Sequence, residues 1–117
     1  MRILLVDDNP DQLVMLRVLI EGLGHDVRTE SAVAPAIDAA RRFKPEIAFV
    51  DLGLPGMTGH ELGRVLKSEL PGVRLYAITG LGGEEERERS MAAGFHGHLV
   101  KPVDFAIVES LLRPRAV

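Results

Sequence analysis

The stretch Ile47-Ala48-Phe49-Val50-Asp51 runs four apolar residues into one carboxylate, and Leu52-Gly53-Leu54-Pro55-Gly56 follows it. A short unbroken apolar run bounded by turn residues is the pattern of a strand buried on both faces. The turn rich in Gly and Pro stops that strand at or just after Asp51. In an open parallel sheet, ligands sit in the crevice beyond the carboxyl ends of the strands. Asp51 is therefore placed where such a sheet does its chemistry.

Before this strand, residues 3–6 form an apolar run that ends in Asp7-Asp8. Asn9 is suited to cap the next helix, with Pro10 at its first position, where a missing N–H costs nothing. Leu13, Leu16, Leu19/Ile20 and Leu23 recur at helical spacing, and Gly24 fits the left-handed residue that closes such a helix. Residues 26–30 make a weak, polar strand expected near a sheet edge. Residues 34–43 read as a second helix with Ala36/Ile37, Ala40 and Phe43 inward, ended by Lys44-Pro45.

After the central strand, Thr58 and Glu61 fit a capping box. Leu62, Val65/Leu66 and Leu70 make a third helix amphipathic, and Pro71-Gly72 stops it. Residues 73–78 are a fourth strand, followed by Thr79-Gly80. Glu84-Glu85-Glu86 place acids at the positive end of a fourth helix, which carries Met91 and Ala92 and stops at Gly94. Residues 98–100 make a short fifth strand ending in Lys101-Pro102. Asp104 caps a last helix over 105–112, with Pro114 beyond it. Strand and helix alternate five times, so the fold class is α/β, a parallel sheet covered on both faces.

The chain has 117 residues, enough for one domain over 1–117 and too few for two. Hydrophobic residues make up 46%, which supports a packed core. Net charge is −3, which argues against gripping nucleic acid by charge. With no Cys, thiolate metal sites and cysteine nucleophiles are excluded. No apolar run reaches the ~20 residues of a membrane span, and no signal-peptide pattern precedes the first strand. A cytoplasmic location with no membrane association is the expectation.

Asp7, Asp8 and Asp51 converge at strand ends, and like charges this close repel. A hard divalent cation would relieve that repulsion. Mg²⁺ takes one or two carboxylates plus waters and a phosphate ligand. Asp8 and Asp51 are expected to bind it directly, Asp7 through water, and the Gly53 backbone carbonyl to complete the protein's share. A metal alone needs neither Thr79 nor Lys101. An anion bound among the carboxylates would need both, one as hydroxyl donor and one as point charge. A carboxylate can itself accept a phosphoryl group, and Asp51 is the best-placed nucleophile.

Leu4-Leu5-Val6-Asp7-Asp8-Asn9, the run from Asp51 to Gly59, Thr79-Gly80 and Lys101-Pro102 resemble the receiver domains of bacterial two-component response regulators. The resemblance implies a doubly wound, flavodoxin-like sheet of five strands in the order 2-1-3-4-5 with five helices. It implies a phosphorelay signalling domain that takes a phosphoryl group from the phosphohistidine of a histidine kinase or phosphotransfer protein onto Asp51. Asp7 and Asp8 match the acidic pair that holds Mg²⁺, Lys101 the lysine on the phosphoryl group, and Thr79 the hydroxyl of the switch. His98 stands where the family's switch aromatic lies, a pattern similar to receivers associated with hybrid sensor kinases. Gly53 and Leu81 occupy the two positions that tune an attacking water, and neither is polar, so slow hydrolysis of the phosphoaspartate is expected. Gly80, where Ala is common, is expected to loosen the loop that moves.

On this reading the chain assists its own phosphorylation and dephosphorylation but is no enzyme toward other molecules. With no output domain after the last helix, it is expected to be a stand-alone relay or a piece of a longer protein. Its output is then contact through the fourth helix, fifth strand and fifth helix, with a partner or a second copy. The alternative is a pseudo-receiver that binds partners without phosphorylation. A phosphatase with an Asp nucleophile would need a second carboxylate at position 53, which is Gly. A nucleotide fold would need a fuller glycine pattern than Gly80-Leu81-Gly82-Gly83. His25, His60 and His96 are expected at the surface, with no metal-ligand spacing. Met57 and Met91 are expected in core or turn packing.

Overall fold

The computed structural model describes residues 1–54, 56–80 and 83–113, so Pro55, Leu81 and Pro114 lie outside the described residues. The elements run β1 (Arg2–Val6), α1 (Pro10–Glu21), β2 (Asp26–Glu30), α2 (Val33–Phe43), β3 (Ile47–Asp51), α3 (Gly59–Glu69), β4 (Arg74–Thr79), α4 (Glu84–Ala92), β5 (Gly97–Val100) and α5 (Phe105–Leu112). All strand pairs are parallel, and the order is β2-β1-β3-β4-β5. β3 is the middle strand and all five of its residues are buried. The polar β2 takes one edge, where only one neighbour must be satisfied.

Side chains alternate across the sheet and build two cores. Leu4, Val6, Ala48, Val50, Leu75 and Ala77 pack with Ala36, Ala40, Leu62, Leu66 and Phe95 on one face. Ile3, Leu5, Ile47, Phe49, Tyr76, Ile78 and Leu99 pack with Leu13, Leu16, Ile20, Val108 and Leu112 on the other. Because the chain steps from β1 to β2 in one direction and from β2 onward in the other, right-handed crossovers place α1 on one face and α2 and α3 on the opposite one.

The helix starts follow the capping residues. Asn9 Oδ1 accepts the N–H groups of Asp11 and Gln12, and Thr58 Oγ1 accepts that of Glu61. Asp104 Oδ1 accepts the N–H of Ala106. Gly24 has φ +92°, a left-handed conformation in the turn after α1. Phe43 is only half-buried, with Arg28 stacked 5.2 Å from its ring centroid. Met91 corrects the expectation for α4: it is 73% exposed, and Ser90 is the buried residue of that helix.

Candidate functional site

β1, β3, β4 and β5 end at one rim. Their ladders continue one residue past the strands and hold the functional side chains. Asp7 N–H donates to Glu30 O at 3.1 Å, Leu52 N–H to Ile78 O at 2.9 Å, and Lys101 N–H to Thr79 O at 2.8 Å. Asp7, Asp51 and Thr79 are buried, Asp8 is exposed and Lys101 is half-buried. The Lys101–Pro102 peptide is cis.

Each oxygen of Asp51 has its own partner. Oδ1 accepts the Gly53 N–H at 2.8 Å, and Oδ2 takes the Lys101 ammonium at 3.0 Å. The tight turn through Gly53 thus fixes the carboxylate. Burial works against its charge, but the Gly53 N–H and Lys101 outweigh burial and hold the Asp51 pKa below the usual carboxylate value. Burial likewise opposes the Lys101 charge, and the hydrogen bond to Asp51 overrides it and pushes its pKa up.

Asp7 behaves oppositely. Its Oδ1 accepts the Asn9 N–H at 3.0 Å, whereas Oδ2 is buried and accepts no hydrogen bond. Lys101 Nζ stands 4.0 Å from that oxygen. Burial pushes the Asp7 pKa up to about 6, and the neighbouring Asp51 adds to it against the pull of the Asn9 N–H. The surroundings thus favour ionisation of Asp51 and oppose that of Asp7, as at a site where neighbouring carboxyl groups have different tasks.

Oxygens of Asp7, Asp8 and Asp51 lie within 4.8 Å of one another. A hard divalent cation fits this donor set: all ligands are oxygen, and the orphaned Asp7 Oδ2 lacks a partner of its own. Together the groups offer an ionised buried carboxylate, a fixed ammonium and an acidic pocket.

The structure therefore brings Asp7, Asp8, Asp51 and Lys101 together and places Thr79 on the same rim. Gly53 lies in the turn beside them, with its N–H on Asp51. His98 is not at the rim. It pairs with Ala77 in the sheet and turns toward α4. The other histidines do more than face solvent. His60 Nε2 lies 3.3 Å from Ser90 Oγ, and His96 Nδ1 accepts the Leu75 N–H. His25 Nδ1 lies 3.0 Å from the N-terminal amine. Sequence reasoning missed Ser90, because a Ser within a charged helix carries no signal of burial. It also missed the Asn9 N–H on Asp7, although Asn9 itself was marked by its capping position.

Residues 3–113 match the family model described as response regulator receiver domain. The chain is 34% identical over 115 residues to the probable transcriptional regulatory protein TcrX of Mycobacterium tuberculosis, covering 98% of this chain and 48% of that protein. It is 30% identical over 105 residues to Protein PilH of Pseudomonas aeruginosa, covering 88% of this chain and 87% of that one. A crystal structure of a Burkholderia pseudomallei response regulator with a phosphorylated aspartic acid, calcium ion and citrate superposes with a TM-score of 0.89 at 26% identity. It covers 96% of this chain and 66% of that one. The chain spans about half the length of the larger regulators it matches. Among the described residues, no helix is long and apolar enough to cross a membrane.

Proposed function

Since this chain belongs to the response regulator receiver family, we propose that Asp51 accepts a phosphoryl group from the phosphohistidine of a histidine kinase or phosphotransfer protein. The observation that carries this is the Asp51 carboxylate, buried and ionised, with Lys101 on one oxygen and the acidic pair beside it. The P–N bond to the donor imidazole breaks as the P–O bond to Asp51 forms, and the imidazole leaves with the electron pair.

This chain's residues position and neutralise. Gly53 N–H orients the Asp51 carboxylate. Lys101, held cationic, transfers its contact to a phosphoryl oxygen. The Thr79 hydroxyl donates to another, and that movement of the β4 loop is the switch, with His98 at the position coupled to it. Asp7, Asp8, Asp51 and the Gly53 carbonyl would hold Mg²⁺. When bound, that ion supplies charge neutralisation at the transferring oxygens. The domain promotes its own phosphorylation and dephosphorylation only, in the cytoplasm. Its output surface is α4–β5–α5, toward a partner or a second copy, without nucleic acid contact by this domain. With the full set of Asp7, Asp8, Asp51, Thr79 and Lys101 in place, a phosphorylation-independent binding module is not favoured.

Acetyl phosphate with Mg²⁺ should add one phosphoryl group by intact mass, and Asp51→Ala should abolish the gain. No gain with acetyl phosphate or with a panel of histidine kinases, in a folded protein that still binds Mg²⁺, would overturn the reading. After removal of donor, the phosphorylated protein should persist for many minutes, because Gly53 brings no polar side chain to guide water. Decay within seconds would contradict that assignment.

A further inference from the structure

Both ring nitrogens of His98 are buried and lack a hydrogen-bond partner. The ring lines a cleft of about 240 Å³ between α4 and β5, together with Arg87, Ser90, Met91 and Phe95. A buried imidazole with an unmet N–H is less stable than a paired one, because it has given up water without gaining a partner. The present placement of α4 therefore leaves His98 unsatisfied.

The charged groups facing this ring come from several elements. α3 contributes His60, whose Nε2 lies 3.8 Å from Glu86 Oε1 and 3.3 Å from Ser90 Oγ. α4 contributes Glu86 and Arg87. The turn before β5 contributes His96, whose Nδ1 is occupied by the Leu75 N–H. The β4 partner of His98 is Ala77, which brings no charge. Glu86 is thus the carboxylate that both His60 and His98 can draw on.

We propose that protonation of His98 draws Glu86 away from His60 and shifts α4 against β5, making the position of α4 proton-dependent. A protonated imidazole has two donors and no acceptor. It then needs an anion, and Glu86 stands one turn before Ser90, which lines the cleft and donates to the Glu86 carbonyl. Arg87 and the His60 ring repel the new charge, so the helix carrying Arg87 has to adjust as Glu86 turns. Burial, and then Arg87, hold the His98 pKa below the ordinary imidazole value, with Glu86 acting the other way. The shift therefore belongs to mildly acidic conditions, and α4 at neutral pH keeps the position described above. This inference concerns the protein without a phosphoryl group and does not rest on the phosphoacceptor reading.

The test is an NMR titration of the full chain from pH 8 to 5, following the histidine ring protons and the amides of residues 84–92. In the wild type, those amides should move with the same midpoint as the His98 ring, at a pH below 6.5, the ordinary imidazole value. That transition should be lost in His98→Phe and in Glu86→Gln. Both variants keep Asp7 and Asp51, so titration of the carboxylate rim cannot mimic the result. α4 amides that stay still while the His98 ring titrates would overturn the proposal. So would a transition retained in full by Glu86→Gln, a variant of a half-buried side chain that leaves both cores intact.

Discussion

Asp7→Asn is expected to stabilise the cation-free protein at pH 7.5 by about 1–3 kcal/mol and to remove most of its stabilisation by Mg²⁺. Asp7 is almost wholly buried, and its pKa rises from 3.8 to about 6 on folding. A carboxyl whose folded pKa is raised binds its proton more tightly in the native state. Its contribution is complete below pH ~4 and is lost as pH rises through about 6. Above that window the folded domain carries an ionised Asp7 at a cost of about 3 kcal/mol. Asn removes the charge, and its carbonyl oxygen can still accept the Asn9 N–H. Its amide can donate toward Asp51. Urea unfolding of both proteins from pH 4 to 8 should show curves that meet near pH 4 and separate as pH rises. Mg²⁺ should raise the wild-type midpoint far more than that of the variant. Equal stabilities across the range would refute the assignment of strain to Asp7.

The carboxylate rim was legible in the sequence for a physical reason. In a parallel sheet the buried strands are unbroken apolar runs, so the first polar residue after each run marks the rim. Asp7, Asp51, Thr79 and Lys101 each occupy that place, and the strand order brings them together. α4 was not legible in the same way. Residues 84–92 hold no apolar residue at helical spacing, so periodicity could not say that Ser90 turns inward and Met91 outward. The inward face is marked by His60 of α3, which meets Ser90 Oγ through space, while the Ser90 hydroxyl donates to the Glu86 carbonyl one turn back in α4. His98 shows the same limit from the strand side. Its place in the chain marks it, but its unpaired nitrogens and its cleft exist only once α4 is packed.

Gly59→Ala is expected to destabilise the domain by about 2 kcal/mol or more and to slow phosphorylation of Asp51 by an order of magnitude or more. Gly59 is the first residue of α3 and is buried against the turn that follows β3. A Cβ there would lie 2.5 Å from Leu52 Cα and 2.8 Å from Asp51 O, both backbone atoms that no rotamer change can move aside. Ala ordinarily favours a helix over Gly by roughly 1 kcal/mol, so a loss of stability would have to come from this contact. Relief requires either α3 to withdraw from its core or the turn to shift. The turn carries the Gly53 N–H that orients Asp51, so movement there displaces the reacting carboxylate. Gly72→Ala, in the turn before β4 and away from the rim, is the control: a Cβ at that position has nothing within 4 Å, and stability should stay within about 0.5 kcal/mol of wild type. Urea unfolding and the acetyl phosphate rate, measured on both variants, separate a general glycine effect from this one. If Gly59→Ala matched wild type in both, the close seating of α3 on the Asp51 turn would not be what holds the acceptor in place.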